Sequence, residues 1–337
     1  MSDHIKTALV GFGKAGEFLH APFIANNTSF ELTTIVERTP KHAAAAYPSA
    51  QVVRSYEEVL SDSTIELIVL TTPNETHAGL AEQALLAGKH VVVDKPFTIY
   101  AADAKRLEEL SVKTGKQIFV YQNRRWDGDF LTIQKLLKEE ILGEIISIES
   151  RFDRYRPEPR ITYWKESDTL GNGLWYDLGP HLMDQAFQLF GQPKSYTAEI
   201  KKQRTGAVGI DYFDVTFAYE KLRYCIHAGM LEKEATPRWV IKGSKGTYTK
   251  YGVDPQEACL NAGEQPIGAS WGKEADAVYG IITFADGSTQ KYPTLNGDYR
   301  NFYKGVFETI RNEAPFPITL NDAVELVGWL ERLASEL

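Results

Sequence analysis

The chain has 337 residues and a formal net charge of −8, with 43% hydrophobic and 24% charged residues. That length suggests two domains, and that composition excludes a disordered chain. The acidic balance speaks against a nucleic-acid binder, which needs a basic face.

Two cysteines, Cys225 and Cys259, stand far apart and form no metal-type cluster. Reduced thiols in a cytoplasmic protein are the expectation. A strand-like segment begins almost at once, so no export leader is expected. No run approaches the roughly 20 apolar residues that span a bilayer, so no membrane partner is expected either.

In chain order, Ile5–Val10 predicts a buried strand, followed by a glycine turn over Gly11–Gly16. A strand is predicted over Phe30–Val36, a helix over Thr39–Ala46 and a strand over Glu66–Leu70. A helix over His77–Ala87, a strand over Val91–Val93, a helix over Ala101–Thr114 and a strand over Gln117–Tyr121 continue the pattern. Such alternation implies a doubly wound α/β fold with parallel strands and crossover helices, here over residues 1–123. After Asn123 the texture changes: a helix over Phe130–Glu140, a strand over Glu144–Phe152, then an Arg- and aromatic-rich stretch, Arg154–Trp164. A helix near Pro180–Phe190 precedes strands over Ser195–Lys201, Asp211–Tyr219, Leu222–His227, Arg238–Lys242 and Gly246–Lys250. Helices near Tyr299–Asn312 and Leu320–Glu336 close the chain. Residues 124–337 therefore predict an α+β domain on a large, mostly antiparallel open sheet.

Gly11-Phe12-Gly13-Lys14-Ala15-Gly16 fits G-x-G-x-x-G between a first strand and a helix. Glycines there allow a tight turn and let a pyrophosphate approach the backbone, which points to dinucleotide binding. Glu37 ends the next strand a little over 20 residues after the turn begins, where a carboxylate accepts from both adenosine ribose hydroxyls and favours NAD. Arg38 beside it has the chemistry to hold a 2′-phosphate, so NADP stays open and the balance leans to NAD. Thr71, Thr72, Pro73 and Asn74 follow a parallel strand, on the side where ligands bind, and with His77 are candidates to face the cofactor. A capping role for Asn74 and an ordinary first-turn place for His77 are the structural alternatives.

Val93 leads into Asp94-Lys95-Pro96. Oxidising an alcohol requires removal of the hydroxyl proton as the hydride leaves. A partly buried lysine beside the positive ring of the oxidised cofactor releases its own proton more readily and can serve as general acid/base. Gly173–Asp184 supplies a second cluster, with Asp177 and His181. Pro180 is expected in the first helical turn, with Asp177 as N-cap and His181 at a helix N-terminus that keeps its ring neutral. No metal is expected, since hydride transfer needs none.

With these motifs in hand, the chain resembles the Gfo/Idh/MocA oxidoreductases over essentially its whole length. The resemblance rests on the glycine turn, on Pro73-Asn74-x-x-His77, on Asp94-Lys95-Pro96 and on Gly173–His181. The stretches Tyr121–Asp127 and Lys250–Glu257 are similar to the subgroup that includes NADP-dependent scyllo-inositol dehydrogenase. The resemblance implies an N-terminal Rossmann domain and a C-terminal α/β domain for substrate binding and oligomerisation. It implies homodimers or homotetramers through the C-terminal sheet, and a polyol, inositol or sugar substrate. It assigns catalysis to Lys95, Asp177 and His181, and places Asn123 and Arg124 near the nicotinamide ribose or the substrate. Two departures stand out: Asp-Lys-Pro replaces the family's Glu-Lys-Pro, and Glu37-Arg38 stands where NADP-using relatives carry a small hydroxyl residue before the arginine.

On the substrate side, Arg154, Tyr155, Arg156, Tyr163, Trp164, Trp175 and Tyr176 flank the second cluster. Aromatic faces stack on sugar C–H surfaces and arginines donate to hydroxyls or acids, though about half of such residues are expected to serve packing. Two rival readings are a non-enzymatic nicotinamide sensor and an NAD-dependent glycosidase. The complete Lys95, Asp177 and His181 set argues against the sensor.

Overall fold

A computed structural model describes residues 4–39, 42–160 and 163–335, without the side chain of Trp164. The described chain forms two compact units. The first takes the chain up to Asn123 and adds Gln256–Trp271 and Tyr299–Gly328. The second holds Arg124–Pro255, Gly272–Asp298 and the chain from Trp329 on.

The first unit contains the strands β1 (Ile5–Val10), β2 (Phe30–Val36), β3 (Gln51–Val53), β4 (Leu67–Leu70), β5 (His90–Val93) and β6 (Ile118–Val120). Their order is β3-β2-β1-β4-β5-β6, and every pair is parallel. All four residues of β4 and the last three of β5 are buried, as strands covered on both faces require. Connecting them are a π-helical turn over Ala15–His20 and the helices α1 (Ala21–Ala25), α2 (Ala43–Ala46), α3 (Tyr56–Ser61), α4 (His77–Leu86) and α5 (Ala101–Thr114). A capping box between Ser55 and Glu58 starts α3, and Gly115, at φ 67°, ends α5. This strand order reverses direction between β1 and β4, so the crevice beyond their carboxyl ends is the place where such a sheet binds ligands.

The second unit contains α6 (Gly128–Lys138), β7 (Ile145–Arg151), α7 (Gly173–Phe190), β8 (Ser195–Lys201), β9 (Tyr212–Ala218), β10 (Arg223–Gly229), β11 (Trp239–Gly243), β12 (Gly246–Lys250), β13 (Gly280–Phe284) and β14 (Thr289–Tyr292). The strands form one sheet in the order β14-β13-β12-β11-β7-β10-β9-β8, antiparallel except for β7 with β10. Alternation sets its faces: Phe213, Val215 and Phe217 of β9 and Tyr224 and Ile226 of β10 are buried on the side that α7 covers. The residues between them form a row on the other side: Thr197, Thr216, Cys225, Glu149, Val240, Thr249, Ile281 and Lys291. They are half-buried or exposed, and no described helix covers them. The remaining helices, α8 (Gln256–Asn261), α9 (Arg300–Asn312) and the start of α10 (Leu320–Ala334), belong to the first unit, where Ala323 and Val327 join the core of the parallel sheet.

Two expectations are corrected here. The helix expected near Pro180 begins at Gly173, so Pro180 lies in its interior and Asn172, not Asp177, precedes it. Burial outweighs the local proline signal: of the eleven residues Gly173–Met183 all but Asp177 are buried, and the Leu174 amide donates to Ile210 O at 2.7 Å. The helix expected from Thr39 is reduced to Ala43–Ala46, with residues 40–41 outside the described chain.

Candidate active site

The glycine turn lies at the carboxyl end of β1. Gly11 has φ 96°, a conformation that glycine adopts without cost, and its amide donates to Val36 O at 3.1 Å. Thr71, at the end of β4, donates its hydroxyl to Gly11 O at 2.8 Å. A side chain on Gly16 would meet Gly11 O at 2.2 Å, whereas one on Gly13 would meet nothing within 4 Å. Gly16 therefore closes the turn from inside, and Gly13 keeps its outer surface bare. The Phe12 ring is turned inward against His42 and Tyr47, so only its backbone faces the turn. Lys14 is exposed and Ala15 half-buried.

Glu37 directly follows β2 and is 6% exposed, yet its Oε1 has no hydrogen-bond partner among the described residues. A buried carboxylate oxygen left without a donor is costly, and a ribose hydroxyl supplies the missing donor. Arg38 is exposed and makes no ion pair or hydrogen bond among the described residues. The bare Gly13 surface and the unsatisfied Glu37 oxygen are the features an adenine dinucleotide needs.

Beyond β4, Thr72 and Thr76 join hydroxyls at 2.5 Å, and Thr76 also donates to Pro73 O at 2.7 Å. Asn74 opens the short turn Asn74–Thr76 and does not cap α4. His77 is buried, with Nδ1 2.9 Å from Pro96 O and Nε2 2.9 Å from Thr72 O. Its ring is thus spent on tying the loop after β4 to the loop after β5.

At the end of β5, the Lys95 amide donates to Asp94 Oδ1 at 2.8 Å, and the Lys95–Pro96 peptide is cis. Burial pushes the Asp94 carboxyl up, but the neighbouring His20, Lys95 and His77 side chains outweigh it and hold the carboxyl below its ordinary range. Lys95 is half-buried beside this anion. Asn123, which ends the first stretch of the first unit, is 4% exposed.

In the second unit, Asp177 and His181 stand four residues apart in the interior of α7 and so share one face. The expectation that a helix N-terminus tunes His181 lapses with the corrected start of the helix. Asp177 lies 3.3 Å from Lys165 Nζ and 4.0 Å from Arg154 Nη1, so the Arg-rich stretch does meet this helix. Tyr163 lies under the Arg160 guanidinium at 4.4 Å, and Tyr155 is 50% exposed. Tyr176 is 1% exposed, and Trp175 is core, donating to Leu330 O at 3.1 Å. The expected role of the Trp164 side chain lies outside the described residues. Arg124 is buried, 3.2 Å from Asp127 Oδ2 and stacked at 4.7 Å on Phe152.

One neighbour of Asp94 carries no sequence signal. His20 falls in the apolar run Phe18-Leu19-His20-Ala21, where a core histidine is the ordinary reading. Only the fold brings its Nε2 to 4.0 Å from Asp94 Oδ1.

Comparison with known proteins agrees with this architecture. The NAD-binding Rossmann-fold model of the GFO/IDH/MocA oxidoreductase family matches residues 5–122, and that family's C-terminal alpha/beta domain model matches residues 134–335. The uncharacterized oxidoreductase YdgJ of Escherichia coli is 40% identical, over 98% of this chain and 96% of its own length. The scyllo-inositol 2-dehydrogenase (NADP(+)) IolW of Bacillus subtilis is 36% identical, over 98% of this chain and 92% of its own length. A crystal structure of an oxidoreductase from Bacillus cereus superposes with a TM-score of 0.89 at 33% identity, covering 98% of this chain and 96% of that one. Two domain models that together span nearly the whole sequence, and full-length relatives well above 30% identity, place the chain in the Gfo/Idh/MocA family of oxidoreductases.

Proposed function

We propose that the protein is a nicotinamide-dependent dehydrogenase of CH–OH groups, working between a secondary alcohol and a ketone on a polyol, inositol or sugar. The observation that carries this reading is a single parallel sheet that presents a glycine turn at the end of β1, an unsatisfied buried carboxylate at the end of β2 and a lysine at the end of β5. The name of IolW supports an inositol-like substrate, as does that of the inositol 2-dehydrogenase of Rhizobium meliloti, 30% identical over 61% of this chain.

The nicotinamide, when bound, supplies the hydride acceptor or donor. Backbone groups of Gly11–Gly16 hold the pyrophosphate, and Glu37 accepts from the adenosine ribose hydroxyls, which favours NAD. Thr71, Thr72, Pro73 and Asn74 line the same end of the sheet. Lys95 takes the hydroxyl proton during oxidation and returns it during reduction. His181 and Asp177 bind substrate hydroxyls from one face of α7, with Arg154 and Lys165 orienting the carboxylate. Tyr155 and Tyr163 offer rings to the sugar face, and Asn123 and Arg124 serve the nicotinamide ribose or the substrate. Second copies of the chain pair through the uncovered row of the eight-stranded sheet, giving a homodimer or homotetramer.

One feature favours an acidic sugar within the substrate class. Arg156 is exposed in the stretch between Arg154 and Arg160, and a guanidinium offers paired donors to a carboxylate. The decisive experiment screens inositols, sugars and sugar acids with NAD and NADP, following absorbance of the reduced cofactor. Turnover of one class is expected; tight cofactor binding without turnover of any would overturn the dehydrogenase reading.

A further inference from the structure

The geometry points to His20 as a positioning residue for Lys95: held by the Tyr303 hydroxyl, it directs a ring N–H at Asp94 and so keeps that carboxylate turned to the Lys95 amide. This inference rests on the proposed role of Lys95. His20 is fully buried at the end of the π-helical turn that follows the glycine turn. Its ring lies on Tyr121, with centroids 4.1 Å apart. Nδ1 is 2.8 Å from the hydroxyl of Tyr303 on α9, and Nε2 is 4.0 Å from Asp94 Oδ1 with no hydrogen-bond partner among the described residues.

The direction of the chain follows from the phenol. Tyr303 is fully buried, and burial, with the neighbouring Tyr121 phenol and the Asp94 charge, raises its hydroxyl well above the ordinary range, so the phenol keeps its proton. His20 is the one partner of that hydroxyl among the described residues. The buried O–H is satisfied by donating to Nδ1, which leaves the ring proton on Nε2. Nε2 faces Asp94, whose Oδ1 already accepts from the Lys95 amide. The groups around the pair are then Tyr303 from α9, Tyr121 after β6, and Lys95 and His77 about Asp94; Glu17, on the same turn as His20, pairs with His42 at 2.7 Å instead. A buried carboxylate stays ionised only while such donors and charges surround it. Without His20, Asp94 binds a proton more readily and loses its hold on the Lys95 backbone.

Nuclear magnetic resonance on 15N-histidine- and 13C-aspartate-labelled full-length protein tests this without a substrate. A His20 ring protonated at Nε2 and accepting at Nδ1 is expected, and the Asp94 carboxyl should titrate at higher pH in His20→Leu and Tyr303→Phe. A ring protonated at Nδ1, or an Asp94 titration that ignores both substitutions, would overturn the proposal. In turnover, His20→Gln keeps an N–H near the Nε2 position, whereas His20→Asn does not reach it. With a substrate from the screen, His20→Asn should lower kcat roughly 10–100-fold at unchanged cofactor KM, the scale of a misplaced catalytic group, and His20→Gln should recover much of it. Equal activity of the two variants would mark His20 as packing alone. A protein with the expected resonance behaviour but no turnover of any polyol would overturn the dehydrogenase reading and leave the His20 chain standing.

Discussion

Lys95 emerges from a strand whose last three residues are buried, and its amide is pinned to the carboxylate of the preceding residue. Backbone atoms are therefore fixed while the ammonium remains half-buried at the open end of the sheet. That combination suits a group which must exchange a proton without moving its anchor. Lys95→Met should leave dinucleotide affinity near normal, read by fluorescence titration, and cut kcat by roughly 10²–10⁴-fold, the usual scale of acid/base catalysis. Retention of most activity would remove Lys95 from the mechanism. Glu37 carries a separate expectation. Its buried Oε1 lacks a donor, so wild-type kcat/KM should favour NAD, and Glu37→Ser should shift the ratio toward NADP by removing a charge that repels a 2′-phosphate. A wild-type preference for NADP would give the site to Arg38 instead.

Within elements, two of the three glycines of the turn, Gly13 and Gly16, divide its labour, and substitution separates them. Gly16→Ala drives a methyl group into Gly11 O and Thr71 Oγ1, at 2.2 and 2.8 Å. Backbone must shift, at a cost of about 1–3 kcal/mol that a lowered melting temperature reports. Gly13→Ala meets no atom of the protein within 4 Å, so its melting temperature should match wild type. Its methyl group instead occupies the surface where a pyrophosphate would rest, and dinucleotide affinity should fall by roughly tenfold or more. Wild-type affinity in Gly13→Ala would mean that the pyrophosphate lies elsewhere. The same scale explains what the sequence shows and hides. Buried parallel strands such as β4 and β5 are continuous apolar runs, and they are legible as such. The edge strand β14 and its neighbour β13 carry Thr, Gln and Lys at exposed positions and have no comparable signature. Pro180 misleads because a proline signals a helix start, while the packing of Leu174, Trp175 and Tyr176 holds two further turns before it. The face shared by Asp177 and His181 follows from that packing and not from the proline.

Across the whole molecule, Gln256–Trp271 and Tyr299–Gly328 return to the first unit after the chain has built most of the second. Periodicity along a sequence cannot reveal such a return, and the partnership of His20 with Tyr303, 283 residues away, depends on it. Stability against acid is set at the same scale. His90 opens β5, and its Nδ1 accepts from the Gln117 amide at 3.0 Å, which demands an unprotonated nitrogen. Burial, aided by the Lys116 charge and opposed by Glu66, lowers the ring from its ordinary 6.5 to about 4. A folded-state value below the unfolded one means that acid favours the unfolded chain, which takes up a proton the folded protein refuses. Stability should therefore be lost as pH falls from about 6.5 to about 4, by on the order of 2–3 kcal/mol. The carboxylates held below their ordinary range, Glu66 beside Arg311 and Asp153 beside His227 among them, add their loss only as pH falls through still lower values. His90→Asn retains an acceptor for the Gln117 amide and has nothing to titrate. Melting temperatures measured from pH 7 to 4.5 should fall for the wild type and stay nearly flat for His90→Asn. An equal slope in both would assign the acid lability to the carboxylates instead.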